Sequence, residues 1–143
     1  MRIIRGTKNI VEPIPYPVMA IGNFDGVHVG HQTLFCKTAE LALAHGGTSI
    51  AFTFEPHPLK IIAPGKAPPL LTHFKKKMEL IESCGVNMVI CADFTRKFAD
   101  QQPRDFSRNI LFEKIYLKYV NILRLILKGN SRHPKLGDAY NKH

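Results

Sequence analysis

Val18-Met19-Ala20-Ile21-Gly22-Asn23-Phe24-Asp25-Gly26-Val27-His28-Val29-Gly30-His31-Gln32 decides how the rest of the chain reads. Residues 18–21 are a short continuous apolar run of the kind that forms a strand covered on both faces. A glycine-punctuated loop with two histidines follows, and a helical pattern begins directly behind it. Strand, tight loop and helix in that order direct backbone N–H groups, and the partial positive charge of a helix N-terminus, at one spot beyond the strand end. His28 and His31 add donors there, so the spot suits a polyphosphate, and residual charge on either ring would strengthen it. Gly22, Gly26 and Gly30 leave room for a nucleotide to approach the backbone. Asn23 is in reach of a phosphate, and Asp25 is placed to hold the loop by accepting backbone N–H bonds.

Downstream, Leu34, Thr38 and Leu41 form one helical row with Phe35, Ala39 and Ala42 beside it, and Gly46-Gly47 closes the helix. Residues 48–54 (TSIAFTF) are β-branched and aromatic and read as the next strand. Residues 55–71 hold Pro56, Pro58, Pro64, Pro68 and Pro69 and read as a long loop, which in a compact domain is more often functional than not. Thr72 is placed to cap a helix with Phe74, Met78 and Ile81 on its buried row, ended by Gly85. Residues 88–91 form a third strand. Pro103 suits the first turn of a further helix, with Asp105 near its N-terminus and Phe106 and Ile110 inward. Another strand is expected from about Tyr119. Upstream, residues 1–10 read as a short edge strand, and Pro13, Pro15 and Pro17 keep the approach extended.

Strands alternating with helices imply an α/β fold with a parallel sheet and right-handed crossovers. Ligands of such sheets bind beyond the carboxyl ends of the strands, where the strand order reverses. The first core strand delivers residues 23–31 to that edge, and the second delivers Phe54-Glu55-Pro56-His57-Pro58 to the same edge.

The 143 residues suit one domain with a real core, and 45% apolar with 22% charged content excludes a disordered chain. No apolar run is long enough to cross a bilayer, and no signal peptide is visible, so no membrane partner is expected. Cys36, Cys84 and Cys91 are odd in number and lack CxxC spacing; they read as reduced thiols, which points to the cytoplasm. The net charge of +9 has two readings, nucleic acid or anionic nucleotides. The charges are spread, Lys75-Lys76-Lys77 reads as a solvated helix face, and no RNA-binding signature is present, which leaves nucleotides. His28 and His31 have chelating spacing, but no further ligand stands at zinc-like spacing, so no protein-held metal is expected.

The loop lacks the Lys-Ser/Thr ending of a P-loop and the spacing of a dinucleotide fingerprint. Its Gly-x-Phe-Asp-x-x-His-x-Gly-His pattern resembles the nucleotidylyltransferase superfamily. The longer form Gly22-Asn23-Phe24-Asp25-Gly26-Val27-His28-Val29-Gly30-His31-Gln32 is similar to the FAD synthetase module of the bacterial bifunctional riboflavin kinase/FAD synthetases. Thr53-Phe54-Glu55-Pro56-His57-Pro58 independently resembles the second motif of that module, and Leu71-Thr72 with the lysine run is like its Leu-Thr and basic helix. The resemblance implies a Rossmann-like nucleotidylyltransferase fold and transfer of AMP from ATP to FMN, giving FAD and pyrophosphate, with Mg²⁺ entering alongside ATP. It implies catalytic roles for His28 and His31. Gly22, Asn23, Phe24, Asp25, Gly26 and Gly30 would hold the nucleotide, while Phe54, Glu55, Pro56, His57 and Pro58 would border the flavin. Two alternatives stand: a non-catalytic nucleotide- or flavin-binding remnant, or another small adenylyltransferase, against which the Thr-Phe-Glu-Pro-His-Pro segment argues.

The resemblance runs over residues 1–120 and takes in Phe94, Phe98-Ala99 and Asp105-Phe106. Beyond it the family would continue with Gly-x-Asp-Phe-x-Phe-Gly, Arg-x-Gly-Asp and a Ser-Ser/Thr-x-x-Arg motif. This chain reads Asn121-Ile122-Leu123-Arg124-Leu125-Ile126-Leu127-Lys128-Gly129-Asn130 and then a polar tail. Residues 1–120 are therefore expected as a partial nucleotidylyltransferase domain and 121–143 as a divergent, loosely attached basic tail. The sheet would be C-terminally incomplete through truncation or a frameshift, with transfer impaired.

Overall fold

Parallel pairing organises the hydrophobic runs into one sheet. A computed structural model describes residues 1–116 and, as backbone alone, 119–122. The tail expected over 123–143 lies outside the described residues. The sheet has five strands in the order β1-β4-β3-β2-β5, every neighbouring pair parallel. They are β1 (Arg2–Arg5), β2 (Pro17–Ile21), β3 (Thr48–Glu55), β4 (Met88–Asp93) and β5 (Tyr119–Ile122). The expected edge strand, the three core strands and the later strand from Tyr119 are all present. From β2 the chain steps outward through β3 to β4, and then β5 returns to the other side of β2. The strand order thus reverses at β2, whose carboxyl end feeds residues 22–31.

Alternation along the strands divides the core into two layers. Ala20, Ala51 and Val89 face α1 (Val29–Ala44) and α3 (Phe74–Ser83), packing with Phe24, Phe35, Met78 and Ile81. Met19, Ile50, Phe52 and Ile90 face the opposite layer with Ile110, Leu111 and Ile115. That layer includes α5 (Pro103–Phe106), which carries Pro103 in its first turn and runs on into a π-helical turn, Ser107–Phe112. No helix among the described residues is long and apolar enough to cross a membrane.

Several expectations shift. The buried row of α1 is His31, Phe35, Thr38 and Ala42, whereas Leu34 and Leu41 are only half-buried. The row is turned by one step because a histidine in the first turn goes inward. Residues 55–71 are not plain loop: α2 (Pro58–Ile62) and a 3₁₀ turn (Pro64–Lys66) form within them, each with proline in its first turn. Another short helix, α4 (Arg96–Ala99), has the Thr95 hydroxyl accepting from the Phe98 N–H as its cap. Thr72 does not cap α3; His73 holds that position without a side-chain bond.

The end of α1 follows the expected glycine pair. Gly46, at φ 62°, donates to the Leu43 carbonyl at 3.1 Å, and Gly47 donates to the Ala42 carbonyl at 2.7 Å. These two bonds satisfy carbonyls that the helix end leaves open. A Cβ on Gly46 would meet nothing within 4 Å, but one on Gly47 would stand 2.2 Å from the Tyr16 carbonyl oxygen. Gly46→Ala should therefore cost only the left-handed backbone penalty, about 1–2 kcal/mol. Gly47→Ala must push β2's approach away from α1, so its melting temperature should fall clearly below that of Gly46→Ala. Equal melting temperatures would contradict this packing.

Candidate active site

Leaving β2, the Gly22 N–H donates to the Phe52 carbonyl at 3.0 Å and prolongs the β2–β3 pairing. The chain then turns through Phe24, which holds a left-handed backbone at φ 52°. Its ring is 1% exposed and packs edge-on against Phe35 at 4.6 Å and His31 at 5.3 Å between centroids. Expected as a nucleotide contact, Phe24 is instead a core side chain that supports His31 from below. The glycine spaces are likewise filled from within. A Cβ on Gly22 would stand 2.8 Å from the Phe24 ring, one on Gly26 3.0 Å from Leu71 Cδ1, and one on Gly30 3.2 Å from His28 Cε1. They shape the loop around the chain's own side chains.

His28 occupies the N-cap position of α1 and makes no side-chain cap bond, while His31 lies in the first turn. Their rings stack at 3.6 Å, with exposed His28 lying over His31, which is 4% exposed. Nδ1 of His31 is buried without a hydrogen-bond partner. Such an orphaned polar atom costs about 1–3 kcal/mol, a cost that a ligand donor or acceptor would relieve. Burial, and secondarily the neighbouring His28, push the His31 pKa down to about 4, against a smaller opposing pull from Asp25. His31 is therefore neutral at pH 7, and the positive charge entertained for it from sequence is absent.

Asp25 does hold the loop, and through a distant partner. Leu71 N–H donates to both carboxylate oxygens at 3.0 Å, and Thr72 donates its N–H at 3.0 Å and its hydroxyl at 3.2 Å to Oδ1. The Thr72 hydroxyl in turn accepts from the Gly26 N–H at 3.1 Å. Burial alone would raise the Asp25 pKa, but the bonds from Leu71, Thr72 and Gly26 outweigh it and hold the group below the usual carboxylate value.

Convergence of the two loops is direct: Thr53 Oγ1 donates to the Asn23 carbonyl at 3.1 Å. Lys77 joins them. Its Nζ donates to the same carbonyl at 3.3 Å and to Thr53 Oγ1 at 3.2 Å. Lys75 and Lys76 are exposed as expected, but Lys77 is buried, so the run is not wholly a solvated face. In the second loop, His57 accepts the Leu59 N–H at 3.2 Å on Nδ1 and caps α2, with Pro58 as its first residue. Burial lowers its pKa. Glu55, whose carbonyl accepts from the Phe94 N–H, and Pro56 are half-buried. Half-buried Phe54 points to the other sheet face, edge-on to Phe52, Phe94 and Phe98 at 5.5–5.9 Å. Thr53 and Phe54 thus serve opposite faces of one carboxyl edge. Cavities of about 190 and 390 Å³ lie at the other edge, lined by residues such as Thr48 and Met88 or Gly47 and Asn87. What marks the carboxyl edge is convergent polar chemistry. Among the described residues no cluster of His, Cys, Asp and Glu could hold a metal.

A parallel sheet with a His-bearing loop at its strand-order reversal defines a Rossmann-like nucleotidylyltransferase domain. The chain belongs to the FAD synthetase family, whose profile matches residues 14–124. It is 38% identical over 122 residues to the bifunctional riboflavin kinase/FMN adenylyltransferase of Buchnera aphidicola subsp. Acyrthosiphon pisum, covering 85% of this chain and 39% of that protein. To the Escherichia coli (strain K12) protein of the same name it is 35% identical over 123 residues, with the same coverage. The chain thus spans about two fifths of the length of these relatives. A crystal structure of a macrolide-efflux protein from Streptococcus pneumoniae matches with TM-score 0.70 at 22% identity, covering 85% of this chain and 41% of that one, a likeness of fold.

Two measurements test this geometry. In Asp25→Ala, amide exchange at Leu71 and Thr72 should accelerate about tenfold or more, since each bond to a charged acceptor is worth about 1.5–3 kcal/mol; unchanged exchange would mean that the carboxylate is not the staple. The His31 ring should titrate by NMR near pH 4, and a midpoint at or above the ordinary histidine value would contradict its burial. Because the folded pKa lies below the unfolded one, the unfolded chain binds the proton first. Stability from this residue is therefore complete above pH 6.5 and is lost as pH falls toward 4.

Proposed function

We propose that this domain binds Mg–ATP at residues 22–31 and transfers its AMP unit to FMN, giving FAD and pyrophosphate. The observation that carries the reading is the buried, unpartnered Nδ1 of His31 in the first turn of α1, beneath exposed His28 and at the reversal of strand order. A phosphate there would meet the helix N-terminus and the imidazoles together. His28 must turn off His31 to admit it, and Gly30 beneath its ring gives the freedom to do so.

An oxygen of the FMN phosphate attacks the α-phosphorus, the bond to the β-phosphate oxygen breaks, and pyrophosphate leaves. The attacking phosphate is largely ionised at neutral pH, so no general base is needed. The protein's work is to align the two substrates and neutralise charge gathering around phosphorus. His28 and His31 donate to phosphate oxygens. The backbone at Gly22, Asn23, Gly26 and Gly30 borders the nucleotide, with Asp25 acting through the loop it holds. Mg²⁺ enters bound to ATP, which suits a cation that keeps its waters and takes ligands from substrate phosphates. The segment Glu55-Pro56-His57-Pro58 is the acceptor side, with the half-buried ring of Phe54 offering an aromatic edge to the isoalloxazine.

Calorimetry should detect ATP binding, and His28→Ala/His31→Ala together should weaken it about tenfold or more, as charge-assisted bonds of about 1.5–3 kcal/mol are lost. Unchanged affinity in the folded double variant would overturn the site. Incubation with FMN, ATP and Mg²⁺ should yield FAD. ATP binding without any FAD would make the chain a nucleotide-binding remnant.

A further inference from the structure

Lys77 lies on the inward face of α3, beside Met78 and one turn before Ile81, and is 7% exposed. No carboxylate approaches its Nζ within salt-bridge distance among the described residues. The charged or titratable groups around it are Asp25, Glu55, Cys91 and His57. Of the nearby carboxylates, Asp25 is committed to Leu71 and Thr72. Burying an ammonium without a carboxylate is unfavourable and is tolerated where something else supplies the countercharge. Burial accordingly pulls its pKa below the usual lysine value.

The ammonium's two partners are the Asn23 carbonyl and Thr53 Oγ1, and Thr53 itself donates to that carbonyl. The carbonyl belongs to the peptide entering the left-handed Phe24 turn. In a planar trans peptide, a carbonyl fixed on one side sets the Phe24 N–H on the other. Lys77 therefore fixes the orientation of the first peptide of the loop while placing one positive charge beneath it.

We propose that Lys77 is a positioning residue for the nucleotide: it locks the Asn23–Phe24 peptide and supplies a buried positive charge that the bound phosphates balance. The inference rests on the reading of residues 22–31 as the nucleotide site. It gives α3, which carries none of the family motif's histidines or glycines, a part in phosphate recognition. The charge acts through the peptide and through the local field, which in a buried setting is screened far less than at the surface.

The test uses the 143-residue chain with ATP and, as a phosphate-free probe, adenosine. Lys77→Met keeps the length of the side chain and removes its charge. It should lower ATP affinity about tenfold or more and leave adenosine affinity within about twofold. In the wild-type chain, the ¹³Cε resonance of Lys77 should report a pKa that rises by about one unit or more when ATP binds, since a nearby anion favours the charged form, and that stays put with adenosine. This second readout stands even if Lys77→Met fails to fold. An unmoved Lys77 titration with ATP bound, or a folded Lys77→Met chain with unchanged ATP affinity, overturns the inference. A wild-type chain that binds no ATP overturns the nucleotide reading itself.

Discussion

The carbonyl of Asn23 is the joint on which the carboxyl edge depends. It stands just past the end of β2 and accepts from Thr53 on β3 and Lys77 on α3. Three elements far apart in sequence thus meet at one oxygen. Without those bonds the peptide before Phe24 would be free to rotate, and a non-glycine residue in the left-handed region relaxes readily when its surroundings do not hold it. Phe24 supplies the other constraint, since its ring is locked in the core against Phe35 and His31. The loop is pinned at the backbone by polar groups and at the side chain by apolar ones, and Asp25 fastens its far side to residues 71–72.

That double pinning explains how an exposed loop can hold a histidine at 4% exposure. The edge of the Phe24 ring supports His31, and the face of His28 covers it. The result is a neutral, desolvated imidazole with one unsatisfied nitrogen. Free energy held in an unsatisfied group becomes available to whatever satisfies it, the sense in which a site is organised before its ligand arrives.

The order and parallel sense of the strands were legible because short apolar and β-branched runs alternate with helical periods and glycine stops. What escaped was set by contacts between distant segments. Thr72 has the right residue type and position for a cap, yet Asp25, 47 residues away in sequence, takes its N–H and hydroxyl. The glycines were correctly placed in a tight loop, but no local pattern tells that Phe24, Leu71 and His28 fill the space beside them. Lys77 is different, because its signal was present. Phe74, Lys77, Met78 and Ile81 recur at i, i+3, i+4 and i+7, the spacing of a core-facing stripe. Two exposed lysines before it disguised a third that belongs to the buried row. The same holds for His31, which opens the row continued by Phe35, Thr38 and Ala42. In both helices the polar residue on the apolar stripe lies at or beside the candidate site.

The register of β5 bears on the acceptor side. Ile122 pairs with Ile21, so β5 ends level with the strand that launches residues 22–31, on the side of β2 where the strand order reverses. The chain therefore leaves β5 at the candidate site and not at a remote edge. In a parallel sheet every strand delivers its following segment to the same rim, and the two strands flanking the reversal deliver theirs closest to the ligand. Divergence from the family's sequence after residue 120 thus falls where an acceptor would be met, while the phosphate side, built from residues 22–31, Thr53 and Lys77, is complete before β5 begins. Nucleotide binding and transfer are in this way physically separable along the chain. The first depends on the Asn23 joint and its three elements; the second depends also on the residues that continue the chain past Ile122.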